Sequence, residues 1–194
     1  MIYFVTPVNL EANTPEDVNL PDLTLTRNML GNCRTKATLT DSNNIILEER
    51  EFKNFTVTDE LSLTISLNEK NYNPGEEIIL TGYVNDVNQN PITNYELTIQ
   101  TDEKEYPRES SGSSSFEKRY RLSDTIKSGQ HNIRVYVEDA NENHAELELN
   151  FYVVQVPSRL DVNLNSDKYN PEDLISITPY LYDQANDMID SSVN

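Results

Sequence analysis

The chain repeats itself, and that fact limits its architecture more than any other. Leu63-Thr-Ile-Ser-Leu67-Asn-Glu-Lys-Asn-Tyr72-Asn-Pro-Gly-Glu-Glu-Ile78-Ile-Leu80-Thr81 returns as Leu160-Asp-Val-Asn-Leu164-Asn-Ser-Asp-Lys-Tyr169-Asn-Pro-Glu-Asp-Leu-Ile175-Ser-Ile177-Thr178, each pair 97 positions apart with no gap. The register persists downstream: Tyr83 matches Tyr180, Asp86 matches Asp183 and Ile92 matches Ile189. A second match pairs Gly31-Asn-Cys33-Arg-Thr35-Lys-Ala37-Thr-Leu39-Thr-Asp41 with Gly129-Gln-His131-Asn-Ile133-Arg-Val135-Tyr-Val137-Glu-Asp139 at an offset of 98. After it, Asn54-Phe55-Thr56-Val57 matches Asn150-Phe151-Tyr152-Val153. Self-similarity at one period means copies of a single unit in series, each burying its own small core. One complete copy is expected over residues 59–156. Residues 1–58 read as the later part of a preceding or divergent copy, and residues 157–194 as the opening strands of a following one. Pro157-Ser158 is the expected joint, and so short a joint predicts a semi-rigid rod.

The unit itself reads as all-β. Leu61, Leu63, Ile65 and Leu67 alternate with Ser62, Thr64 and Ser66, the period-two pattern of a strand with one apolar face. Ile78, Leu80 and Val84 follow the Tyr72-Asn-Pro-Gly75 turn. Then come Tyr95, Leu97 and Ile99; Phe116, Tyr120 and Leu122; Ile133, Val135 and Val137; and Leu147, Leu149, Phe151 and Val153. About seven strands result, separated by Asx, Pro, Gly and Ser turns, and no stretch keeps a helical period. Hydrophobic residues make up 36% of the chain and mean hydropathy is -0.64, which suits thin two-sheet sandwiches whose strands face water on one side.

With those residues in place, the full copy resembles the immunoglobulin-like repeats of bacterial and archaeal surface proteins. The similar pieces run in order: Tyr72-Asn-Pro74-Gly75-Glu76-Glu-Ile78; Gly82-Tyr-Val84-Asn-Asp86 leading to Pro91-Ile92; Gly112 before Phe116; Gly129-Gln-His-Asn-Ile133-Arg-Val135; and Asp139-Ala-Asn141 leading to Phe151-Tyr-Val153. The copy is also similar to the early macroglobulin-type domains of protease-trapping proteins, which share a Tyr-x-Pro-Gly-Glu opening. The resemblance implies tandem immunoglobulin-like antiparallel β-sandwiches, one complete and two partial. Two positions depart from it. Gln89-Asn90 stands where many relatives carry a hairpin Gly, and Asn90 is expected to take the left-handed conformation. His131 stands where relatives often carry a Tyr that hydrogen-bonds back across a strand corner.

Charge excludes several functions. With 33 acidic and 15 basic residues the net charge is -18, so no basic patch exists to neutralise a run of phosphates, and nucleic acid is not an expected partner. An anionic membrane surface would repel the chain. No stretch approaches the roughly 18 apolar residues of a membrane span. The only apolar run at the start, Ile2 to Val5, is too short for a signal-peptide core. An extracellular or cell-surface location is expected, with signal and anchor outside this chain. A single cysteine, Cys33, excludes an internal disulfide and any multi-cysteine metal site. It reads as a small buried or half-buried side chain.

Two loops have the residue types of a cation site. Asp86, Asn88 and Asn90, and Asp139, Asn141 and Asn143, place oxygen ligands at alternate positions as in the opening of a calcium loop. Both lack the Gly at the sixth position and the distal Glu: Pro91 and His144 stand at the sixth positions. The same residues build tight hairpin turns for local reasons, and that is the primary reading. No cofactor is called for, and calcium is the one ion these loops would suit. Asn54-Phe55-Thr56 is a glycosylation sequon. Glu109 to Ser115 reads as a flexible loop. A catalytic His131 would need an orienting carboxylate and a nucleophile. Its counterpart in the other copy, Cys33, would not preserve a base, so His131 is expected to fill the corner.

The sequence therefore points to a non-catalytic structural and adhesive module, partnered by neighbouring immunoglobulin-like repeats of the same chain and by other surface proteins or glycans. Calcium- or glycan-dependent recognition through the Asp86, Asp139 and Ser111–Ser115 loops is one alternative. Accessory domains of a larger secreted enzyme, or of a macroglobulin-type protease trap, are another.

Overall fold

The computed structural model describes residues 2, 4–8 and 17–189. Two compact units emerge, Met1–Asp59 and Glu60–Asn194. Among the described residues everything regular is β except one 3₁₀ turn, Arg27–Met29.

The first unit contains β1 (Gly31–Cys33), β2 (Lys36–Thr40), β3 (Ile46–Glu51) and β4 (Phe55–Val57). They form one interrupted antiparallel hairpin: β1 pairs with β4 (Gly31↔Val57, Cys33↔Phe55) and β2 with β3 (Lys36↔Glu51, Leu39↔Glu48).

The second unit begins with β5 (Ser62–Leu67), β6 (Asn71–Tyr72), β7 (Glu77–Asn85), β8 (Tyr95–Thr101), β9 (Glu109–Ser111), β10 (Ser115–Arg121), β11 (Gly129–Asp139) and β12 (His144–Val153). They make two sheets, ordered β10-β7-β5 and β6-β12-β11-β8-β9. All pairings are antiparallel except the short β6, which joins β12 in parallel at Tyr152↔Asn71 and Val153↔Tyr72. The apolar faces meet in one core: Leu63, Ile65, Ile78, Leu80 and Val84 from one sheet, Tyr95, Leu97, Ile99, Ile133, Val135, Val137, Phe151 and Val153 from the other. Two antiparallel sheets with this strand order are an immunoglobulin-like sandwich. Gly82 has a packing role there. A Cβ at that position would lie 2.2 Å from Phe116 Cζ, so the ring of its cross-strand partner rests directly on the backbone.

Some strand expectations need correction. Glu109–Ser111 is a short edge strand rather than loop, because its backbone pairs with Tyr95–Leu97. That makes eight strands rather than about seven. Leu147, expected in the core, is exposed. β6 covers the edge of β12 at residues 152–153, and Glu60 and Leu61 meet its first residue, where Glu60 bridges His144 in parallel and Leu61 N donates to His144 O at 2.8 Å.

Two further strands, β13 (Pro157–Leu164) and β14 (Ile177–Asp183), form an antiparallel ladder. β13 starts four residues after β12 ends. Its pairing repeats that of β5 with β7: Leu63↔Val84, Ile65↔Gly82 and Leu67↔Leu80 become Leu160↔Leu181, Val162↔Pro179 and Leu164↔Ile177. The intervening turn repeats too. Tyr72 donates its hydroxyl to Asn68 Oδ1 at 2.8 Å and accepts from Glu69 N at 3.1 Å, while Ile79 N donates to Asn68 Oδ1 at 2.7 Å. Tyr169, Asn165, Ser166 and Ser176 make the same bonds at 2.7, 3.0 and 2.8 Å. Asn73-Pro74-Gly75-Glu76 closes through Glu76 N to Asn73 O with Gly75 at φ 77°, a turn whose third residue needs a left-handed backbone. Glu172 occupies that place in the later copy, also at φ 77°, where a side chain is strained. Leu160, Val162, Leu164 and Ile177 are exposed, whereas Leu63, Ile65 and Leu80 are buried. Among the described residues no second sheet lies over the β13–β14 face.

Candidate functional site

The Asp86 and Asp139 loops are two of four hairpin turns built on one plan among the described residues. In each, an Asp carboxylate accepts from the backbone two and four residues on. Asp86 Oδ1 takes Asn88 N and Asn90 N, both at 2.8 Å. Asp139 Oδ1 takes Asn141 N at 2.8 Å and Asn143 N at 3.0 Å. Asp41 does the same with Asn43 and Ile45, both at 2.8 Å, and Asp183 with Ala185 and Asp187, at 2.9 and 3.0 Å. The backbone closes each loop by the same two bonds, such as Gln89 N to Asp86 O and Asp86 N to Asn90 O.

The fourth residue of each turn is left-handed: Asn44 (φ 65°), Gln89 (67°), Glu142 (63°) and Asn186 (65°). Gln89, not Asn90, therefore holds the left-handed position. The bulge geometry of a three-residue hairpin requires it one place earlier than expected, and Asn90 is committed elsewhere. Its Nδ2 donates to Asp86 Oδ2 at 2.8 Å, as Asn143 Nδ2 does to Asp139 Oδ2 at 2.9 Å.

Both oxygens of Asp86 and of Asp139 thus serve the turn itself. The Asn90 side chain and then its N–H hold the Asp86 carboxyl below its ordinary value. The Ile45 N–H leads the same effect at Asp41. Asn88 and Asn141 offer their backbone N–H groups to the carboxylate, which is the chemistry of an Asx turn. Among the described residues no three His, Cys, Asp or Glu side chains gather as a metal-binding cluster.

His131 sits at the corner where β11 begins. Its Nε2 lies 2.9 Å from Lys127 O and its Nδ1 3.0 Å from Asp102 Oδ2. The ring stacks on Phe151, centroids 5.4 Å apart. The imidazole thus reaches back four residues across the corner, the service a tyrosine performs in similar sandwiches. Asp102 also accepts from Asn132 N at 3.2 Å. The ring lines a void of about 20 Å³ together with Tyr106, Tyr120 and Phe151, room for a single water. Tyr106 and Tyr120 pack with centroids 4.3 Å apart, and burial pushes both hydroxyl pKa values up.

Cys33, part-buried, directs its Sγ to Met29 O at 3.4 Å. Asn54 is exposed in the loop before β4, and Thr56 of its sequon donates to Asn32 Oδ1 at 3.0 Å. The Ser111–Ser115 segment is tied by its own bonds, Ser111 Oγ to Ser113 O at 2.9 Å among them, and by Val84 N to Ser114 O at 2.8 Å.

A further group carries no signature of its own in the sequence. Asp183 is the buried charged side chain among the described residues, 1% exposed. Its Oδ2 accepts from Ser128 Oγ at 2.9 Å and Gln155 Nε2 at 3.4 Å. Beside it, Gln184 Oε1 accepts from Val156 N at 2.8 Å and its Nε2 donates to Ile126 O at 3.0 Å. The repeat equates Asp183 with Asp86 and so locates the turn, but a match between copies contains nothing about what a turn rests on.

No family model matches the chain, and no curated protein does. Among solved structures it is similar to the PKD domain of an M14-like peptidase from Thermoplasmatales archaeon SCGC AB-540-F20. The identity is 17% and the TM-score 0.37, over 47% of this chain and 91% of that one. No helix among the described residues is long and apolar enough to cross a membrane.

Proposed function

We propose that the chain is a non-catalytic structural and adhesive stretch of an extracellular or cell-surface repeat protein. It comprises one whole immunoglobulin-like sandwich over residues 59–156, the later strands of another copy over 1–58, and the opening strands of a third over 157–194. The observation that carries this reading is the atom-by-atom recurrence of the Tyr72 turn network at Tyr169. A chain that rebuilds one unit in series, with only three residues between β12 and β13, is suited to spacing and projecting. The polar side chains that could do chemistry serve the fold: His131 ties a corner and the Asp carboxylates close hairpins. The net charge of -18 keeps such a surface soluble and repels like-charged neighbours.

An antibody raised against the 194-residue chain tests the proposal. It should label intact cells of the source without permeabilisation. Labelling only after lysis would overturn the surface assignment.

A further inference from the structure

The four Asp-centred turns differ at their second and fifth residues, and the difference changes what they can hold. In the turns at 86 and 139 the fifth residue is Asn, and its amide occupies the second carboxylate oxygen. At 183 the fifth residue is Asp187, which has no N–H to offer from its side chain. Asp183 Oδ2 is therefore released from its own turn. It is taken up by Ser128 and Gln155 of the preceding sandwich. The second residue differs as well. Val87, exposed, follows Asp86, whereas Gln184 follows Asp183 and makes a two-ended bridge to Val156 N and Ile126 O. Asp187 also comes within 3.9 Å of Lys127 Nζ, and Ser158 Oγ donates to Asp183 O.

We propose that the end of the sandwich formed by residues 126–128 and 154–156 is a receptor surface for the 183–187 turn of the next repeat, and that Gln184 and Asp187 are the two residues that convert a self-contained hairpin into a docking one. A buried carboxylate is stable only with donors on the lone pairs it shows. Asp183 has two from its own turn and two from the sandwich, so the contact has a single geometry in which all four are met. Charge and hydrogen bonding act together here: the carboxylate faces neutral donors, and the extra acid of Asp187 faces Lys127. A repeat with Val and Asn at these places caps itself and leaves its second carboxylate oxygen no need of an outside donor. Docking is thereby encoded copy by copy at two positions, and it orients the β13–β14 ladder on the sandwich. This deepens the rod reading and rests on it for its purpose, though not for its chemistry.

The test places the residue types of positions 87 and 90 in the later turn, as Gln184→Val with Asp187→Asn in the full chain. The turn at 86–90 already folds with those residues, so the swap should leave the hairpin intact while the new side-chain amide recaptures Asp183 Oδ2. Backbone ¹⁵N relaxation should show residues 60–156 and 157–189 tumbling together in the native chain and separately in the double variant. The Val156 amide should exchange at least tenfold faster in the variant, with no change at Leu80 or Val135. Ser128→Ala with Gln155→Ala, made on the receptor side, should uncouple the two in the same way. Independent tumbling in the native chain, or common tumbling in both variants, would overturn the proposal. A failure of surface labelling would leave these relaxation results untouched, so the two readings stand or fall separately.

Discussion

Tyr72 and Tyr169 are the same residue in two copies of one turn, which makes a controlled experiment in what burial adds to a hydrogen bond. Tyr72 is 1% exposed and packs edge-on against Phe151 at 5.7 Å. Its hydroxyl donates to Asn68 Oδ1 and accepts from Glu69 N, and burial pushes its pKa up. Tyr72→Phe keeps the ring packing and removes the oxygen alone. Asn68 Oδ1 retains Ile79 N, but Glu69 N–H loses its acceptor. Two part-buried hydrogen bonds lost, with a donor left behind that water can partly reach, cost about 1–2 kcal/mol together. At roughly 4–8 °C per kcal/mol for a domain of this size, the unfolding midpoint of the sandwich should fall by roughly 5–15 °C. Tyr169→Phe deletes the same bonds where water can replace them, and should cost under about 0.5 kcal/mol. Thermal and urea unfolding of both full-length variants, followed by circular dichroism, measures the difference. Equal losses, or none for Tyr72→Phe, would refute the claim that burial under the second sheet gives this bond its weight.

Three further outcomes follow from the turns. Glu172→Gly should stabilise the β13–β14 ladder by about 1 kcal/mol, because it removes a side chain from a left-handed position; slower exchange of the Asp173 amide, which closes that turn onto Asn170 O, checks it. Calcium at millimolar concentration should leave the thermal midpoint where a chelator leaves it, since both oxygens of Asp86 and Asp139 already have donors; a calcium-raised midpoint would overturn the turn reading. Acid should weaken the sandwich. The side chain and then the N–H of Asn73 hold Glu76 below its ordinary value, and Asn90 does the same for Asp86. Each folded carboxyl binds its proton less readily than the unfolded one. The stability they contribute is thus complete above the unfolded values near about pH 4 and is lost as pH falls through the folded ones. Urea midpoints measured between about pH 6 and 2 should decline, and Asp86→Asn with Glu76→Gln should flatten the decline.

At Asp183 the same linkage has a different balance. Burial works to raise that carboxyl, and the hydrogen bonds from Asp187, Ser128, Ala185 and Gln155 outweigh it and leave it lowered. The docking contact should therefore keep its contribution above the unfolded Asp value and lose it as pH falls through the lowered folded one, the same sign as for the exposed turns.

The all-β class and the faces of Leu63, Ile65, Ile78 and Val135 were legible because a strand alternates with period two, and that alternation is written in the order of residues. So was the recurrence of the Tyr72 turn at Tyr169, since its bonds run between residues at most eleven apart. The hairpins at Asp86 and Asp139 were legible for the same local reason. What sequence could not supply is whichever property depends on residues far away along the chain. The same apolar pattern is buried at Leu80 and exposed at Ile177, because only the first has a second sheet across from it. Gln89 rather than Asn90 turned left-handed, because the hairpin closes through Asp86 and the amide of Asn90 was needed by its carboxylate. Asp86 and Asp183 are one residue by sequence and two by environment, since the donors that bury Asp183 come from Ser128 and Gln155, 55 and 28 positions away.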